Sequence, residues 1–271
     1  MHFRSIFLSD IHLGSPDCQA DTLIDFLNQN SCDELYLVGD IVDFWVLEKK
    51  KKKSWPDSHT QVLSRFLELP QTGTKVYYIP GNHDDMVRKV YGSQISGIEV
   101  SDEIVYTTRK GKRWLILHGD LFDEVVLTND WQHRLGGDLY DMLMGISRRL
   151  NAIRSILGYA HWSLANWLKY KFEKAVKHIQ DYEYAAAKEA ATRFLDGVVC
   201  GHIHHPNQTN IDGIEYLNCG DWVEHCTAIA ETQAGEVMMI NWPNDRQRLI
   251  DLSLMASKTT KQQRQELERA A

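Results

Sequence analysis

Asp10 and His12, Gly39-Asp40, Gly81-Asn82-His83-Asp84, His118-Gly119-Asp120 and Gly201-His202-Ile203-His204 are the parts of this chain whose residue types and spacing point to chemistry. They offer carboxylates, imidazoles and an amide oxygen, and no thiolate. Mixed oxygen and nitrogen donors suit Mn, Fe or Zn better than soft copper or iron–sulfur chemistry. Each cluster contains or adjoins a glycine, which lets the backbone turn sharply and approach closely. Asp10 and His12 are two residues apart, as are His202 and His204, so at a strand end both members of a pair point to the same side. Seven candidate ligands, namely Asp10, His12, Asp40, Asn82, His118, His202 and His204, are too many for one tetrahedral ion. They suit two divalent cations that share a carboxylate. Two cations about 3.5–4 Å apart clamp a phosphoryl group and generate hydroxide near neutral pH. A lone Gly-Asp is ordinarily a turn and a lone His ordinarily structural; it is the joint occurrence that points to a metal centre.

Something must bring these distant clusters together. Phe3–Ser9, Glu34–Val38 and Lys75–Ile79 read as strands, and Ala20–Asn30 and Ser58–Leu69 as helices with apolar residues on one face. The β-α-β-α-β order predicts an α/β fold with helices packed on a sheet. Each strand runs into a polar cluster, and in open α/β sheets sites gather beyond the carboxyl ends of the strands. From about Gly97 short strands dominate: Val100–Thr107, Arg113–Leu117, Gly197–Cys200, Asn207–Ile211, Ile214–Asn218, Thr227–Glu231 and Val237–Trp242. Between them, residues 122–195 contain no proline and read as a helical insertion. The expected organisation is a core over 1–121 and 196–255, the insertion over 122–195 and a polar tail over 256–271.

The chain has 271 residues, of which 43% are hydrophobic, enough to bury a sizeable core. Its net charge of -7 argues against a general nucleic-acid coat, so no nucleic-acid partner is expected. Five cysteines in no disulfide-like spacing read as buried thiols of a reducing compartment. No apolar run resembles a signal peptide or a membrane span. The chain reads as cytoplasmic, with peripheral contact to a membrane surface left open.

The order DxH, GD, GNHD, H, GHxH resembles the calcineurin-like metallophosphoesterase superfamily, with motifs spanning residues 10 to 204. The resemblance implies a four-layer α/β/β/α sandwich. It also implies that Asp10, His12 and His204 hold one metal, that Asn82, His118 and His202 hold the other, and that Asp40 bridges them. His83 would bind no metal but would stabilise charge at the scissile phosphate or protonate the leaving oxygen, with Asp84 orienting it. Mn²⁺ is the expected ion, with Fe or Zn as alternatives.

Leu8–Gly14 (LSDIHLG), Gly39–Trp45 (GDIVDFW), His118–Asp120 and the insertion bring the chain closest to the UDP-2,3-diacylglucosamine pyrophosphatase-like branch. That likeness implies cleavage of a nucleotide-linked glycolipid to UMP and a lipid sugar phosphate of the lipid A pathway, with the insertion as a lid that receives acyl chains. One departure matters. Proteins with that activity typically carry Arg where this chain has His83, and imidazole cannot reproduce the fork a guanidinium gives a second phosphate. A phosphodiesterase or phosphomonoesterase acting on a soluble nucleotide therefore stands as the alternative. Trp131, Tyr140, Trp162 and Trp167 make the insertion suit an apolar substrate or a bilayer, though a plain helical core is the commoner use of such residues. Lys49–Lys53 reads as a solvated loop beside the site.

Overall fold

In the computed structural model, residues 1–49, 55–123 and 173–252 are described. One sheet contains β1 (His2–Leu8), β2 (Ser31–Val38), β3 (Lys75–Ile79), β4 (Gln94–Ile95), β5 (Ile98–Val100), β11 (Thr227–Thr232) and β12 (Val237–Asn241). Its order is β12-β11-β1-β2-β3-β5-β4. The other contains β6 (Ile104–Thr107), β7 (Arg113–Ile116), β8 (Gly197–Cys200), β9 (Asn207–Ile211) and β10 (Ile214–Asn218), in the order β6-β7-β8-β10-β9. Strands β1, β2, β3 and β5 run parallel, as do β7, β8 and β10. Parallel neighbours need crossovers, and helices supply them: α1 (Ala20–Gln29), the short α2 (Phe44–Lys49), α3 (Asp57–Glu68) and α4 (Glu173–Thr192).

These elements stack as helices, sheet, sheet, helix. Leu23, Phe26 and Leu27 of α1 and Val62 and Phe66 of α3 pack against the outer face of the first sheet. Phe7, Tyr36, Val38, Ile79 and Ile229 face Tyr106, Trp114, Ile116, Val199 and Leu217 between the sheets. Tyr182, Ala186 and Ala190 of α4 cover Leu115, Val198 and Tyr216 on the far face of the second. The expected α/β/β/α sandwich is the observed architecture.

Strict alternation along β1 would place Phe3, Ser5 and Phe7 on one face. A register shift between Phe3 and Ser5 against β11 changes that parity. Phe3 thereby joins Ile6 and Leu8 under the helices, while Arg4 and Ser5 both turn inward to the Tyr106 hydroxyl, each at 2.7 Å. Arg4 also donates to the fully buried Glu231 at 2.6 Å, which gives that carboxylate its counter-charge.

One expected strand divides in two and another stops where a helix begins. Val100–Thr107 divides into β5 and β6 in different sheets, because Ser101-Asp102-Glu103 forms a polar crossing between them. Val237–Trp242 ends at Asn241; Trp242 opens a helix over residues 242–252 and donates its indole N–H to Asp25 at 2.9 Å. Of the expected insertion, Glu173–Thr192 is helical, while 124–172, the tail beyond 252 and residues 50–54 lie outside the described residues. No described helix is long and apolar enough to cross a membrane.

Candidate metal centre

The parallel strands deliver their carboxyl ends to one rim, where the loops after β1, β2, β3, β7 and β8 meet. Main-chain bonds lock these loops to each other: Asp10 N–H to Gly39 O (3.0 Å), His12 N–H to Asp40 O (2.9 Å) and Gly201 N–H to His118 O (3.1 Å). Asp10, His12, Asp40, His202 and His204 all have positive φ, between 50° and 69°. Left-handed backbone costs a non-glycine residue about 1 kcal/mol or more, and five such residues in one place mark a site where geometry was kept at the expense of stability. The glycines make room. A Cβ on Gly81 would lie 2.3 Å from Asp40 Oδ1, and one on Gly201 2.3 Å from Asp10 Oδ2.

The expected ligands fall into two adjoining groups, and a third group, His12, Asp43 and His83, shares His12 with the first. In one, His204 Nε2 lies 3.2 Å from Asp10 Oδ1 and 3.2 Å from His12 Nε2. In the other, His118 Nε2 faces Asp40 Oδ2 at 3.4 Å, with His202 close by. Asp40 Oδ2 is also 3.8 Å from His12 Nε2, so one carboxylate oxygen looks into both groups. Its other oxygen accepts the His83 N–H at 2.8 Å.

Asp10 Oδ1, Asn82 Oδ1 and His118 Nε2 are buried and have no hydrogen-bond partner. Buried polar atoms are otherwise almost always paired. Two acceptor oxygens and an imidazole nitrogen left bare, Asp10 in the first group, His118 in the second and Asn82 next to His83 in the chain, fit a hard or borderline cation. His118 gives its Nδ1 proton to Val38 O at 3.0 Å, which leaves Nε2 as a lone-pair donor toward the site. The electrostatics agree. Burial pulls the His12 imidazole down, but Asp43, Asp40 and Asp10 outweigh it and lift it to about 9. His118 is likewise lifted to about 10 against burial, chiefly by Asp40. Burial pushes Asp40 up, yet His118 and His12 hold it well below the usual carboxylate range. This is a pocket of negative charge that stabilises positive charge.

Around these groups stand further carboxylates. Asp43 accepts from Nδ1 of His12 through one oxygen at 3.1 Å, and its other oxygen lies 3.1 Å from Nδ1 of His83. The His83 ring lies against His12, with centroids 4.7 Å apart, and under the half-exposed Trp45 at 4.2 Å. Asp84 corrects an expectation: it does not orient His83. Fully buried, it accepts from Gly81 N–H (2.6 Å), Ile41 N–H (2.8 Å), Asp40 N–H (3.3 Å) and the Tyr78 hydroxyl (2.6 Å). It is the buckle between the loops after β2 and β3. The turn that starts at Asp40 carries the residue three positions on, Asp43, to the histidine instead.

The Asp221 turn, given no metal role from sequence, lies beneath the first group. Asp221 accepts the N–H groups of Val223, Glu224 and His225, binds His225 Nδ1 and lies 4.0 Å from His204 Nδ1. Asp120 does not enter either group but forms a forked pair with Arg88, at 2.7 and 2.9 Å. Sequence reasoning passed over Asp43 although it lies inside Gly39–Trp45; a carboxylate three residues after the Gly-Asp was the available signal.

The family model described as calcineurin-like phosphoesterase matches residues 3–206. The UDP-2,3-diacylglucosamine hydrolase of Nitrosococcus oceani is 26% identical over 247 residues, covering 85% of this chain and 92% of that protein. Those of Aliivibrio fischeri and Vibrio cholerae are each 31% identical, over 119 and 122 residues; 42% and 43% of this chain is covered. These two matches cover 47% and 48% of the relatives, so the chain spans about half their length. Among solved structures, an archaeal phosphodiesterase aligns with TM-score 0.39 and 14% identity, over 87% of this chain and 98% of that one. Yfce, a phosphoesterase from E. coli, aligns with TM-score 0.39 and 14% identity over 88% and 98%.

Proposed function

The chain belongs to the calcineurin-like phosphoesterase family, a family of metal-dependent phosphohydrolases, and from that premise we propose that it hydrolyses a phosphoanhydride or phosphodiester at a two-cation centre. The observation that carries the reading is the meeting of Asp10, His12 and His204 with Asp40, His118 and His202, in which Asp10 Oδ1 and His118 Nε2 are buried without a hydrogen-bond partner. Asp10, His12 and His204 would hold one cation, Asn82, His118 and His202 the other, and Asp40 both. Divalent cations, Mn²⁺ foremost, neutralise phosphoryl charge and supply a nucleophilic water at neutral pH.

The chain's own residues do the rest. His83 sits over the centre with Nδ1 on Asp43, so Nε2 is the nitrogen that faces substrate. From there it donates to a phosphoryl oxygen or to the departing oxygen. Asp40 holds the His83 backbone, which couples the position of the proton donor to that of the bridging carboxylate. Asp43 ties the same histidine to His12, so the cation ligand and the proton donor share one anchor.

For the substrate, we take a nucleotide-linked glycolipid such as UDP-2,3-diacylglucosamine, cleaved to UMP and a lipid sugar phosphate; the likeness to UDP-2,3-diacylglucosamine hydrolases supports this. The working organisation is the core over 1–121 and 196–255 with 122–195 as its lid, the whole acting in the cytoplasm at the membrane surface. His83, in place of the arginine typical of that activity, favours a second reading in which a soluble nucleotide is the substrate. The test is hydrolysis by chelator-stripped protein resupplied with Mn²⁺. UDP-2,3-diacylglucosamine, its deacylated counterpart, a cyclic nucleotide and chromogenic mono- and diesters form the panel. Preferred cleavage of the acylated compound to UMP supports the first reading. Equal cleavage with and without acyl chains supports the second, and no cleavage of any compound refutes both.

A further inference from the structure

We propose that Asp123 is a positioning residue of the metal centre, which orients His202 from the first turn of the segment after β7. The inference rests on the two-cation reading above, and on a difference among the four histidines. Three turn Nδ1 outward. His12 Nδ1 meets Asp43 at 3.1 Å, His118 Nδ1 meets Val38 O at 3.0 Å, and His204 Nδ1 faces Asp221 at 4.0 Å. In those three, Nε2 points inward. A ligating imidazole almost always gives its other N–H to a carboxylate or carbonyl, which sets tautomer and ring angle.

His202 is reversed. Its Nε2 lies 2.8 Å from Asp123 Oδ2 and so carries the outward proton, which leaves Nδ1 as the nitrogen available to Asp40 and His118. The backbone sets this up: His202 is left-handed, with φ 69°, and its N–H is spent on Asp10 Oδ2 at 2.9 Å. The ring is then confined between His118, 5.2 Å away, and Tyr182, 6.0 Å away. Asp123 follows directly on the single 3-10 turn Asp120–Phe122. Phe122 anchors that turn in the core of the second sheet, under Tyr182. Asp123 thus occupies the junction between the core and residues 124–172, and it is the one carboxylate around the centre that this junction contributes among the described residues. Whatever shifts the junction shifts the ring of a cation ligand.

Two measurements on the full chain test this. Side-chain ¹⁵N spectra of the metal-free protein report the His202 tautomer; the proton should reside on Nε2, and in Asp123→Ala that preference should vanish. Titration with Mn²⁺ alone should show wild type taking up two ions. Asp123→Ala should bind one of them about 10–100-fold more weakly, with the other unchanged, and Asp123→Glu should recover most of the loss. Asp123 is partly exposed, so the substitution is tolerated by the fold, and Asp123→Asn provides an isosteric check. A proton on Nδ1 of His202, or two unweakened ions in Asp123→Ala, overturns the inference and leaves the two-cation reading standing. Failure of wild type to bind Mn²⁺ overturns both.

Discussion

Replacing Asp84 by alanine separates a structural role from a catalytic one. The carboxylate is fully buried and accepts from three backbone N–H groups and the Tyr78 hydroxyl. Removing it leaves four donors unpaired in a space that one water can partly fill. At about 1 kcal/mol each, the lower end of the range for an orphaned buried group, the loss is about 4 kcal/mol. For a chain of this size that corresponds to a fall in Tm of about 8–16 °C. Asp43→Ala leaves two donors unpaired, Val46 N–H (2.8 Å) and His12 Nδ1 (3.1 Å), and on the same count should cost about 2 kcal/mol. The assay is thermal and urea unfolding with chelator present, so that bound cations do not contribute. If Asp84→Ala unfolds within about 1 kcal/mol of wild type, the buckle assigned to it is wrong. If it also loses turnover at full stability, the catalytic role that the sequence suggested is restored.

Other perturbations follow from the same geometry. Gly81→Ala puts a methyl 2.3 Å from Asp40 Oδ1 and 2.6 Å from His118 Nε2, and should weaken cation binding at least about tenfold in a Mn²⁺ titration. Gly73→Ala meets nothing within 4 Å and should leave binding unchanged. His83→Ala should keep both ions yet lower turnover by about 10²–10⁴, whereas Asp40→Ala should lose the ions as well; atomic-absorption metal counts beside kcat distinguish them. In chelated protein His12 is lifted to about 9 and His118 to about 10. A raised histidine contributes stability that is complete below its unfolded value of about 6.5 and is lost as pH rises through the folded value. Metal-free protein should therefore lose unfolding free energy from about pH 7 to pH 10. Mn²⁺ uptake at neutral pH should release protons, visible as a buffer-dependent heat; a flat profile in both experiments would remove the electrostatic account.

The local parts of this design were readable from residues. Short apolar runs with β-branched and aromatic residues at 35–38 and 76–79 read as strands, and polar clusters with glycine at their ends as turns, so the rim could be placed. The expectation that Asp10/His12 and His202/His204 point the same way rested on strand alternation, whereas all four have left-handed backbone, which two-residue spacing does not reveal. What stayed hidden depends on contacts across the fold. The parity of β1 changes at a bulge that its partner strand imposes, which no alternation along Phe3–Leu8 reveals. Asp43 and Asp84 are both carboxylates near His83 in the chain or the fold, and only the packing of the loop after β2 against that after β3 decides which touches the ring. Asp123 looks like one polar residue at the start of a helical stretch until β8 brings His202 beside it.

The central claim, two cations held by these seven residues, is tested most directly by anomalous diffraction from crystals of the full chain soaked in Mn²⁺. The account predicts two peaks about 3.5–4 Å apart. One should be ringed by Asp10, His12 and His204, the other by Asn82, His118 and His202, with Asp40 between them. A single peak, peaks elsewhere, or none at saturating Mn²⁺ would contradict it.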